Sequence, residues 1–88
     1  MMVPSIHLNG TSKNELLEQQ IEALRALRAA IAALRQAAPN GRDYYPQGTA
    51  AAARALAEHS RRLGNLHAVE TELEDLALAI SHGGHRPS

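Results

Sequence analysis

Leu17, Leu24, Ile31 and Ala38 recur at intervals of seven, with Gln20, Leu27 and Leu34 in the steps between. Spacings of three and four return to one side of an α-helix but scatter over both faces of a strand, so this stretch is helical. Ser12-Lys13-Asn14-Glu15 precedes it in the form of a capping box, with Ser12 as N-cap and the Glu15 side chain expected to reach back to the Ser12 backbone N–H. Acids crowd the first turns and arginines the last, which suits the helix dipole. Pro39 and Gly41 stop it. A helix is therefore predicted over about residues 13–38. Ala23, Ala30, Ala33 and Ala37 let a second helix approach it closely.

A second seam runs through Leu56, His59, Leu63, Leu66, Val69 or Glu70, Leu73, Leu76 or Ala77, and Ile80. It predicts one long helix over about 50–81, with Thr49 as N-cap and Gly83-Gly84 as the stop. Gly64-Asn65 in its middle marks either a kink or a close helix crossing. The two seams imply an all-α fold, an antiparallel two-helix hairpin over residues 11–82. Residues 1–10 form an arm, in which Ile6 and Leu8 are expected to pack on a helix, and 83–88 a disordered tail.

Such a hairpin of 88 residues has little with which to fill a core: aromatics are 2% of the chain, and there is no Phe or Trp. Small scaffolds with thin cores need staples or partners. The absence of Cys rules out disulfides and thiolate metal sites. Self-association into a homo-oligomeric helical bundle is the remaining way to finish the core. No apolar run approaches the roughly 20 residues of a membrane span, and no signal-peptide core follows the start, so a cytoplasmic location is expected.

Between the helices lies Pro39-Asn40-Gly41-Arg42-Asp43-Tyr44-Tyr45-Pro46-Gln47-Gly48, loop 39–48, which holds both tyrosines. From Arg25 to Arg62 seven arginines face only Asp43 and Glu58, a net of +5, and the rest of the chain balances it at −5. Folding back at the loop makes one end basic and the other acidic. At the basic end the second helix presents its N-terminal amides, a natural anion site. Arg42, Arg54 and Arg35 lie around that terminus, and arginine forks suit phosphate. Tyr44 and Tyr45 offer stacking faces, while Asp43, Gln47 and Thr49 offer orienting hydrogen bonds. The candidate ligand-binding residues are thus Arg35, Arg42, Asp43, Tyr44, Tyr45, Gln47, Thr49 and Arg54, for a small nucleotide-like anion. The plainer alternative is that Arg42 pairs with Asp43 and the tyrosines plug the end of the bundle.

No phosphate-binding glycine loop, dinucleotide fingerprint, nucleophile elbow or zinc-helix motif is present, so a non-enzymatic protein without cofactor is expected. His59 and His67 lie on or beside the apolar seam, where a paired core or interface role outweighs metal binding. Zero net charge and a single lysine argue against general nucleic-acid binding. The two functional classes left are a binder of a small anion and a structural or adaptor protein whose loop contacts another protein.

Ile6-His7-Leu8-Asn9-Gly10-Thr11-Ser12 followed by the segment 39–48 resembles a group of small phage and prophage proteins of unassigned function, over most of the chain. In size and architecture the chain is also similar to phage anti-defence sponges, small helical oligomers that sequester immune signalling nucleotides such as cyclic dinucleotides or cyclic ADP-ribose derivatives. That likeness implies a homo-oligomer in the cytoplasm of an infected bacterial host, holding a nucleotide-derived signal without altering it.

Overall fold

The computed structural model describes residues 1–83 and shows two long helices folded back on each other. These are α1 (Lys13–Gln36) and α2 (Ala51–Ser81), joined through two consecutive 3₁₀ turns, Gly41–Asp43 and Tyr45–Gln47. Positions 84–88 of the expected disordered tail lie outside the described residues.

Capping chemistry starts α1: Ser12 is extended, and its hydroxyl accepts the Glu15 N–H at 3.2 Å. The helix stops at Gln36, short of the expected Ala38. Pro39 is the reason, because its ring disfavours helical geometry in the residue before it. The Ala37 N–H turns back onto the carbonyls of Leu34 and Arg35 and closes the end.

The second helix runs unbroken through Gly64-Asn65, and a Cβ at position 64 would meet nothing within 4 Å. Gly64 therefore marks neither a break nor a helix crossing; it faces water and costs only propensity, about 1 kcal/mol. α2 begins at Ala51 with Ala50 as N-cap, not with Thr49 in that role. Gly48 at φ 106 reverses the chain, and the Ala51 N–H bonds its carbonyl at 3.3 Å, which places Thr49 and Ala50 in a turn ahead of the helix. Gly83, at φ 105, closes the other end through its N–H to the Ile80 carbonyl at 3.0 Å.

Between the helices Leu24, Ile31 and Ile80 are buried, and Leu17, Leu27, Leu34, Leu63, Leu66, Leu73 and Leu76 are half-buried. Each full burial contributes about 1.5–3 kcal/mol. Three of them are a thin core for a chain of this length. Two seam positions are polar and unsatisfied: Gln20 Oε1 and His59 Nε2 are buried with no hydrogen-bond partner among the described residues. The hairpin is a rod of 62 × 23 × 17 Å with a radius of gyration of 19.0 Å, where a compact chain of this length would give about 12 Å.

One edge of the rod carries its polar clasp. Arg28 bonds Glu70 through Nε and Glu74 through an outer nitrogen, both at 3.0 Å. Arg35 donates to His67 Nε2, and His67 Nδ1 meets Glu70 Oε1, again at 3.0 Å each. Since guanidinium can only donate, Nε2 accepts, and the proton of a neutral His67 ring sits on Nδ1, aimed at Glu70. These bonds set the helices antiparallel in a register that opposes Arg28 to the 70–74 turn.

The arm departs from expectation in one respect. Ile6 is half-buried, but Leu8 is 99% exposed. The Gly10 N–H bonds the His7 carbonyl at 3.2 Å, and the turn this makes carries Leu8 away from the helices.

Candidate functional site at the loop end

Arg35, one residue before the end of α1, meets His67, sixteen residues past the start of α2, so the first turns of α2 project past the end of α1. The loop folds over them. Asn40 begins this packing: its side-chain oxygen accepts the Arg42 N–H at 3.0 Å, and its carbonyl accepts the Asp43 N–H at 3.0 Å. Tyr44 then bonds back to Gly41, Gln47 to Tyr44 and Gly48 to Tyr45, each through the backbone. The outcome is a structured loop. His59, 6% exposed, is the one polar residue of α2 that is buried among the described residues.

Beside this loop lies an open groove of about 580 Å³. Its loop wall is Pro39, Tyr44, Gln47 and Gly48; its floor is the start of α2, from Thr49 to Ala51; its helix wall is Arg54, Ala55, Glu58 and Arg62. Among the described residues no side chain caps the N-terminus of α2. The amides of Ala52 and Ala53 find no acceptor among the described residues, so they remain free donors at the positive end of the helix dipole. Arg54 has no ion-pair partner among the described residues, whereas Arg62 meets Glu58 at 3.5 Å. The groove therefore holds one unengaged arginine, one weakly engaged one, free backbone donors and the half-buried face of Tyr44.

Four of the eight residues expected at the site line this groove: Tyr44, Gln47, Thr49 and Arg54. Arg35 lies elsewhere, bound to His67 on the clasped edge. Arg42, Asp43 and Tyr45 are exposed and are not part of the groove lining, and Tyr45 is 78% exposed. No ion pair forms between Arg42 and Asp43. Sequence reasoning missed Glu58 and Arg62. Their spacing of four from Arg54 and from each other was the available signal, since it lays all three along one side of a helix.

The described residues include no cluster of three or more His, Cys, Asp or Glu side chains able to hold a metal ion. None of their helices is long and apolar enough to cross a membrane. The chain matches no protein-family model, and neither a curated protein nor a solved structure is detectably similar to it.

Proposed function

We propose that this is a non-enzymatic binding protein that takes a small, anionic, nucleotide-derived ligand in the loop-end groove and sequesters it. The observation that carries the reading is the coincidence, in one groove, of an uncapped helix N-terminus with Arg54, Arg62 and the ring of Tyr44. Free amides and guanidinium forks are complementary to a phosphate or pyrophosphate. The flat face of Tyr44 suits a base, and Gln47 and Thr49 supply donors and acceptors for its edge or for a ribose. Nothing in this set activates a nucleophile, so the ligand leaves as it entered. With the likeness to phage proteins, the setting is an infected bacterial cytoplasm, and the ligand is an immune signal of the cyclic nucleotide or ADP-ribose type.

Titration calorimetry against a panel of cyclic dinucleotides and ADP-ribose derivatives tests this, with mass spectrometry of the recovered ligand. The expected result is saturable binding of an unaltered nucleotide. Arg54→Ala should weaken it at least about tenfold, since a charge-assisted contact contributes about 1.5–3 kcal/mol. Equal affinity in Arg54→Ala would remove the groove from consideration.

A second reading rests on the exposure of Tyr45 and of Arg42 on the loop. Tyrosine and arginine are enriched among the anchors of protein interfaces, so the loop would dock this chain onto a phage component as an adaptor. Indifference to the whole nucleotide panel, with loss of a macromolecular partner in Tyr45→Ala, would favour it.

A further inference from the structure

The two edges of the hairpin are not equivalent. On the seam of α1 the flanking rows are Ile21, Arg28 and Arg35 on one side, and Leu16, Ala23, Ala30 and Ala37 on the other. Arg28 and Arg35 reach across to Glu74 and His67, so those rows form the clasped edge. The opposite edge therefore joins the Leu16–Ala37 row to Val69 and Leu76 of α2. Among the described residues no ion pair or side-chain hydrogen bond links the helices there. Ala23, Ala30 and Ala37 are exposed, and Val69 is 44% exposed. A helix that meets one partner keeps both rows beside its seam polar, and a broad apolar face instead serves a bundle of more helices.

We infer that a second copy of this chain covers this edge, on which Arg62 continues the row of Val69 and Leu76 at the loop end, packed antiparallel to the first to make a four-helix bundle. Charge sets the orientation. Arg25 and Arg28 lie level with the 70–74 turn, so the loop end proper is the segment 35–62, with a net of +3 against a net of −3 for the rest. Antiparallel packing lays the basic end of each copy along the acidic end of the other, while parallel packing would put like ends together. Size agrees as well. The row from Leu16 to Ala37 spans about 32 Å of helix at 1.5 Å per residue. Across two helices that is roughly 600 Å² per copy, within the range of specific interfaces. The small alanines allow close approach, and exposed Val69 with half-buried Leu16 and Leu76 adds apolar area to the contact. The pairing leaves the two grooves at opposite ends of the bundle. It stands whether or not the groove takes a nucleotide.

Sedimentation equilibrium of the full chain is the first measurement, with thermal melting followed over a hundredfold range of protein concentration. A dimer whose melting temperature rises with concentration is expected. Ala30→Glu and, separately, Val69→Glu should weaken dimerisation at least about tenfold, because each buries an unpaired charge; Ala29→Glu, on the exposed side of α1, should not. A spin label at an introduced Asn40→Cys reads the orientation: antiparallel packing separates the two labels by about 40 Å at 1.5 Å per residue. A wild-type chain that stays monomeric with a concentration-independent melt would overturn the inference. A dimer that ignores both glutamates, or labels lying close together, would overturn the interface or its polarity.

Discussion

Arg35 donates across the hairpin to His67, with 3.0 Å between the guanidinium nitrogen and Nε2. The same ring meets Glu70 at 3.0 Å, and Glu70 also accepts from Arg28. The chain Arg35–His67–Glu70–Arg28–Glu74 thus ties the two helices along one edge. It also commits Arg35 to structure: an arginine that looked like part of an anion site spends its fork on an imidazole instead.

Arg35→Ala should therefore leave the affinity of any groove ligand within about twofold while Arg54→Ala lowers it at least tenfold, a difference of roughly 1 kcal/mol or more. Calorimetry of both variants with one ligand measures this. Comparable losses would mean that the ligand lies on the clasped edge.

The Glu70 carboxyl is held below the usual value of 4.5, first by the hydrogen bond from His67 and then by that from Arg28. Arg28 is shifted upward in turn, mainly by its bond to Glu70 and then by Glu74. A carboxyl depressed in the folded state stabilises the fold fully above its unfolded value, and that contribution fades as the pH falls through the folded value. Melting temperatures of wild type and Glu70→Gln should thus differ most above pH 4.5 and converge in more acidic solution. A gap that persists unchanged at acidic pH would assign the effect to packing.

Gln20 occupies a seam position with its Oε1 buried and unpartnered. Gln20→Leu completes the apolar row and removes an unsatisfied acceptor, so it should stabilise the hairpin by about 1 kcal/mol or more. Chemical denaturation reads the change, and a loss of stability would show that Gln20 finds a partner in the assembled protein.

Gly48 sits at φ 106, where a Cβ is strained although the space around it is open. Gly48→Ala should cost about 1 kcal/mol or more through the backbone alone. Because Gly48 is itself part of the groove wall, ligand affinity should fall along with stability. Thermal melts and calorimetry on the same sample would separate the two losses.

Much of the hairpin is legible in one dimension. The seven-residue spacing of Leu17, Leu24 and Ile31 names a helix, and Ser12 with Glu15 names its first turn, because periodicity and capping are local physics that one segment carries by itself. Pro39 and Gly48 likewise announce a reversal. The boundaries at Gln36 and Ala51 moved by one or two residues, since proline acts on its predecessor and the turn at Gly48 delays the second helix. Tyr44, Gln47, Thr49 and Arg54 gather in one groove as their nearness to a helix start suggested. The fate of Arg35 was not legible, because its partner is thirty-two residues away in sequence. Nor was the difference between the two edges: the rows beginning at Leu16 and Ile21 flank the same seam, and sequence alone does not say which of them meets Glu74. Local sequence determined the helices and their caps through hydrogen bonds and steric limits within a few residues. Tertiary structure decided which arginines are spent and which edge stays bare, because those outcomes depend on the register in which two rigid helices meet.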